Sequence, residues 1–244
     1  MRSFRIIPVV DILNSQAVHA KKGKRENYKL LSSKLFSSTN PFRIIKCLRY
    51  KYGFKEIYLA DLDAIIKKKP NFTLLSKISK IPDILILIDP GITSLEDIIT
   101  FSQYNFNKLI LGLETLNNLD LIPKCIRIIG AHKIIVSIDM YNEKVTTNIE
   151  DIKNDSLIEI VKKIEDLGIE EIILLDLYKV GQKIGGVPPL YLNIRNVFKK
   201  KILVGGGIKE YKDILNYSKC KFSGILIGTA LYDGSIEIEK IRNL

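Results

Sequence analysis

The chain repeats itself once, at long range. Ile6-Ile7-Pro8-Val9-Val10-Asp11-Ile12-Leu13-Asn14 aligns with Ile134-Ile135-Val136-Ser137-Ile138-Asp139-Met140-Tyr141-Asn142. Glu56-Ile57-Tyr58-Leu59-Ala60-Asp61-Leu62 aligns with Glu171-Ile172-Ile173-Leu174-Leu175-Asp176-Leu177. Ile86-Leu87-Ile88-Asp89-Pro90-Gly91-Ile92 aligns with Ile202-Leu203-Val204-Gly205-Gly206-Gly207-Ile208, and Phe106 through Gly112 with Phe222 through Gly228. The four matches keep one order at offsets of 115 to 128 residues, too long a period for a solenoid. They describe two similar halves, about 1–128 and 129–244, each with four strand-like segments.

Those segments are Phe4–Val10, Glu56–Ala60, Ile84–Ile88, Lys108–Leu111, Lys133–Ile138, Glu171–Leu175, Lys201–Val204 and Gly224–Ile227. Each is apolar nearly throughout, as parallel strands covered on both faces are. Helix-compatible stretches separate them. The clearest is Leu157-Ile158-Ile160-Val161-Ile164-Leu167, preceded by the capping pair Asp155-Ser156 and closed by Gly168. Eight strand–helix units in 244 residues predict an α/β fold, a single-domain (β/α)8 TIM barrel over 1–244 built from two similar half-barrels.

Composition narrows the function. With 46% apolar and 27% charged residues, the chain has material for one core. No apolar run approaches the roughly 20 residues of a membrane span, and Met1-Arg2-Ser3-Phe4 carries no cleavage signature. Cys47, Cys125 and Cys220 lie far apart, which excludes a Cys-x-x-Cys zinc site and fits a reducing cytoplasm. The net charge of +11 comes from lysines spread along the chain without interleaved aromatic residues. It predicts no nucleic-acid partner, although a basic field attracts a phosphorylated small molecule.

In such a barrel the C-terminal strand ends carry the chemistry. Asp11, Asp61, Asp139 and Asp176 stand there. Asp11 and Asp139 are repeat partners and should face each other across the mouth, where two carboxylates with split proton affinities can act as base and acid. Gly205-Gly206-Gly207 ends the seventh strand and Gly228-Thr229-Ala230 the eighth, the place where backbone N–H groups cradle a phosphate. The first half has Asp89-Pro90 for Gly205-Gly206 and Gly112-Leu113 for Gly228-Thr229. Proline has no N–H and aspartate repels an anion, so one intact cradle is expected, with Gly91 and Gly112 left as lesser donors. Glu114 adds to the acidity of that end, which suits a cationic or hydroxyl-bearing group better than a phosphate. His19 projects near the active face, while His132 precedes the fifth strand and is expected to be structural. Lys21 and Lys179 lie in active-face loops.

Taken together these motifs resemble the histidine-biosynthesis barrels, the ProFAR isomerase (the HisA type) and its cyclase sister, over essentially the whole chain. Ile7-Pro8-Val9-Val10-Asp11 with Gln16-Ala17-Val18, Ala60-Asp61-Leu62-Asp63-Ala64, Ser137-Ile138-Asp139, Gly205-Gly206-Gly207 and Ile227 through Gly234 carry the likeness. The resemblance implies an Amadori-type aldose–ketose isomerisation of an aminated ribose phosphate with no metal or organic cofactor. It implies Asp11 as base and Asp139 as acid or orienting group, with Asp176 a further candidate. Val180 stands where the family's sixth-strand loop carries a second aspartate, Asp89-Pro90-Gly91 replaces Gly-Gly-Gly, Leu113 replaces a hydroxyl residue, and Ser15 replaces glycine. Three readings follow: such an isomerase, a diverged enzyme of another pathway taking a singly phosphorylated substrate, or a non-catalytic barrel.

Overall fold

The computed structural model describes residues 4–241; Met1-Arg2-Ser3, on which the leader argument rested, lie outside the described residues. Its eight barrel strands are β1 (Arg5–Leu13), β2 (Glu56–Asp61), β3 (Leu85–Asp89), β4 (Lys108–Gly112), β5 (Ile134–Tyr141), β6 (Glu171–Asp176), β7 (Lys201–Gly205) and β8 (Gly224–Ile227). Each pairs in parallel with the next, and β8 returns to β1 through Arg5↔Gly224 to Pro8↔Ile227. Closure leaves the barrel no free edge, and the fold is a (β/α)8 TIM barrel.

Period-two alternation along each strand divides the apolar residues between two cores. Every strand contributes one residue to the layer that fills the barrel: Ile7, Tyr58, Leu87, Ile110, Ile135, Ile173, Leu203 and Leu226. Residues an odd number of steps away face outward and pack beneath the helices, among them Val10, Leu59, Ile88, Val136, Leu174 and Val204. The helix Leu157–Asp166 shows how a unit is tied down. Ser156 accepts from the Glu159 N–H and Glu159 reaches back to the Ser156 N–H, while Leu157, Ile160, Val161 and Ile164 are buried.

Below the apolar layer the N-terminal strand ends carry charge. Arg5 bonds Glu56 at 2.6 Å and also Glu171, whose other oxygen takes Lys108 at 3.0 Å. Glu171 is only 1% exposed. Burial alone would raise its proton affinity, but the Arg5 and Lys108 charges prevail and hold its carboxyl below the usual range.

The strands run past their expected ends, most of all at β1 and β5, which extend three residues beyond Val10 and Ile138. Both continue into antiparallel hairpins. β1 folds back on Gln16–His19 through Asn14-Ser15, at φ of 52° and 59°; β5 folds back on Lys144–Val145 through Asn142-Glu143, at 52° and 66°. Two-residue turns with both φ positive match the twist of the flanking strands. Ser15 stays in this conformation because the Asp63 carboxylate accepts from its N–H at 2.8 Å and from the Asn14 N–H at 2.9 Å.

Candidate active site

The strand ends, the β1 hairpin and the loops after β6, β7 and β8 enclose a cavity of about 320 Å³. Counting in twos from the filled layer explains its floor. Asp11 is four residues on from Ile7, Asp89 two from Leu87, and Asp139 four from Ile135, so all three carboxylates point inward, and all three line the cavity. Glu114 joins them from the loop after β4.

The four carboxylates have unequal surroundings. Arg25, from the loop that follows the β1 hairpin, pairs with Glu114 at 2.5 Å. Asp89 accepts from the Tyr58 hydroxyl at 2.9 Å and from the Gly91 N–H at 3.1 Å; burial and Glu114 nevertheless raise its carboxyl to about 6. Asp139 is 5% exposed and accepts from Ser137 Oγ at 2.8 Å through Oδ1. Burial, Glu114 and Asp89 lift it well above the carboxylate range. Asp11 accepts no hydrogen bond from any described residue. Burial and the Asp89 charge raise it to about 7, with Arg25 opposing. Burial and mutual repulsion thus raise Asp11, Asp89 and Asp139, and of these three Asp11 alone has no hydrogen-bond donor among the described residues.

The other end is built from backbone. Gly206, Gly207, Gly228 and Thr229 line it, with Lys183 above. Gly207 sits at φ of 84°, where a side chain is strained, and an added Cβ would meet Lys179 Cβ at 3.1 Å. His19 Nε2 lies 2.7 Å from Thr229 Oγ1, tying the hairpin to this loop. Burial lowers the imidazole's proton affinity, with Asp233 opposing. Lys183 is held by Asp233 at 2.7 Å and Ser235 Oγ at 2.9 Å.

The family described as histidine biosynthesis protein matches residues 5–237. The chain belongs to that family. An uncharacterized protein of Methanocaldococcus jannaschii is 32% identical over 241 residues, 98% of each chain. Two 1-(5-phosphoribosyl)-5-((5-phosphoribosylamino)methylideneamino) imidazole-4-carboxamide isomerases, the ProFAR isomerases, are also similar. That of Lactococcus lactis is 29% identical over 97% of each chain, and that of Leuconostoc mesenteroides 26% over 98% of this chain and 99% of its own.

Within this histidine-biosynthesis barrel the expected residues separate into two groups. Asp11, Asp139, His19, Gly206, Gly207, Gly228 and Thr229 line the cavity. Asp176, Gly205, Gly91 and Gly112 are not among its lining residues. Asp176 is three residues from inward-facing Ile173, so it points to the outer face; it is fully buried, caps the next turn through the Tyr178 N–H at 3.1 Å, and takes the Asn142 N–H at 3.1 Å. Lys179 lies 3.6 Å from it. Gly205 is packed against Leu175 and Leu226, Gly91 against Ile65 with its N–H spent on Asp89, and Gly112 sits beneath Thr115 and Asp139. Among the lining residues that escaped the sequence reading are Arg25, Tyr28, Tyr58 and Lys183. Tyr58 carried a signal, a hydroxyl at an inward register position of an otherwise apolar strand; the loop residues carried none.

Proposed function

We propose that this barrel is an aldose–ketose isomerase of the ProFAR isomerase type, catalysing an Amadori rearrangement of an aminated ribose phosphate. The observation that carries the reading is Asp11: a carboxylate inside a cavity, with no hydrogen-bond donor of its own, raised to about 7. A general base works best at such a proton affinity.

Asp139 is the orienting group, its Oδ2 free of donors among the described residues. The ribose ring oxygen takes a proton from solvent, the C1–O bond breaks, and the nitrogen lone pair forms a C1=N iminium. Asp11 then removes the C2 proton. That electron pair forms C1=C2 and the iminium pair returns to nitrogen. The enol O–H loses its proton as C1 gains one, which leaves the 2-ketone. No oxidant or reductant enters, since C1 is reduced as C2 is oxidised. The phosphate rests on Gly206, Gly207, Gly228 and Thr229, where amide dipoles receive the anion. Asp176, turned outward as a cap, takes no part.

The test is formation of the 1-amino-1-deoxyketose phosphate, followed by NMR. Substrates are ProFAR and the aldosylamine formed from ribose 5-phosphate and n-propylamine. Wild type is expected to rearrange at least one of them above the uncatalysed rate, and Asp11→Asn to lose about 100-fold or more. An Asp11→Asn variant as fast as wild type removes the reading.

A further inference from the structure

Two ends of one cavity differ in sign. At the β7–β8 end the lining is backbone, Thr229, His19 and Lys183. At the β3–β5 end it is Asp89, Asp139, Glu114, Tyr58 and Arg25. Arg25 is the cation of that end, and it is already paired with Glu114. Asp89 takes two neutral donors, the Tyr58 hydroxyl and the Gly91 N–H. Asp139, nine-tenths buried, takes one donor on Oδ1, and no described residue donates to its Oδ2. Proline follows Asp89, so the segment corresponding to the phosphate cradle lacks an amide there and presents a carboxylate instead.

We infer that the substrate is a monophosphate whose far end carries a cationic, N–H-bearing group, an ammonium or amidinium, received by Asp89 and Asp139. A second phosphate would face buried carboxylates at short range, an interaction that a low-dielectric cavity magnifies. A hydroxyl would satisfy Asp139 Oδ2 but leave the carboxylates repelling one another. A cation satisfies the acceptor and the charge together. The nitrogen that reacts belongs to the isomerase reading, on which the substrate class rests; the choice at the far end does not depend on turnover.

Two measurements keep the claims apart. In the first, aldosylamines are made from ribose 5-phosphate with ethylenediamine, ethanolamine or phosphoethanolamine, which differ only in the far terminus. The ethylenediamine adduct should have a kcat/KM at least tenfold above the ethanolamine adduct and further above the phosphoethanolamine adduct. Asp89→Asn should reduce that preference to within threefold; Glu114→Gln, at the half-buried rim, is the second variant should Asp89→Asn not fold, and should lower the preference too. A phosphoethanolamine adduct that is the best substrate overturns the inference and leaves the isomerase standing. In the second, calorimetry compares 4-aminobutyl phosphate, butyl phosphate and butane-1,4-diyl bisphosphate. The amine should bind at least tenfold tighter than the other two, whether or not the adducts react. Equal affinities, a tighter bisphosphate, or no binding by any of the three overturn the inference. Absence of turnover with all adducts, together with the expected calorimetric order, overturns only the isomerase reading.

Discussion

Replacing Asp11 by asparagine should make the protein more stable while it stops the reaction, and the gain should depend on pH in a defined way. In the unfolded chain Asp11 titrates at the ordinary value near 3.8; in the cavity it titrates at about 7. As pH rises between about 4 and about 7, the unfolded chain releases this proton and the folded chain keeps it. A carboxyl raised on folding therefore favours the native state least above its folded value, and stability falls across that window. Roughly three units at 1.36 kcal/mol each set an upper figure of about 4 kcal/mol above pH 7. The cavity is open to water at the mouth, so about half of that, ~2 kcal/mol, is the working figure. Asparagine removes the charge, keeps the shape and forfeits no hydrogen bond, because Asp11 accepts none. For a chain of this length ~2 kcal/mol corresponds to a Tm rise of about 4–8 °C. The assay is thermal unfolding of both proteins at pH 4.5, 6 and 8. The difference should be near zero at pH 4.5 and open progressively to pH 8. A variant less stable at pH 8, or a constant difference, would refute the assignment of strain to this carboxylate.

Three further outcomes are expected. The isomerase kcat/KM should rise about tenfold per pH unit below 7 and level off above, and Asp89→Asn should move that limb to lower pH, since the Asp89 charge helps to raise Asp11; a pH–rate profile that starts its plateau near 4 contradicts the base. Gly207→Ala places a side chain at φ of 84° against Lys179 and should weaken inorganic phosphate binding at least fivefold by calorimetry, with about 1–2 kcal/mol of stability lost. Glu171→Ala removes the carboxylate that Arg5 and Lys108 share, leaving Arg5 on Glu56 and Lys108 on the His132 carbonyl, and should cost about 1.5–3 kcal/mol in denaturant unfolding, with kcat unchanged in the folded protein.

Much of this was legible in the chain because the barrel is written in alternation. Eight apolar runs located eight strands, and the strand-end positions of Asp11 and Asp139 brought both to one cavity. Carrying the same count one step further would have separated the aspartates: Asp11, Asp89 and Asp139 share the parity of the inward layer, while Asp61 and Asp176 share that of the helix-facing residues. Asp61 indeed caps the helix Leu62–Lys67 through the Ala64 N–H. Arg25, Tyr28 and Lys183 were not legible, because they reach the cavity through loop paths set by contacts distant in sequence. One such contact is the Lys22 N–H to the Val180 carbonyl at 3.0 Å, which joins the β1 and β6 loops. The strand ends were read short for a similar reason. Asp11 to Leu13 pair on one side with the hairpin arm Val18 to Gln16, a local pairing that apolar character alone does not reveal.

The charged floor at Arg5, Glu56, Lys108 and Glu171, with the filled layer above it, also fixes how the chamber exchanges its contents. Among the described residues the barrel axis is a blind shaft. Whatever enters at the mouth must back out by the same door. A bound ligand therefore holds the doorway until it departs. Nothing small can be handed along the axis to a protein docked beneath. Any relay to a neighbouring enzyme has to take place at the rim, where the hairpins stand.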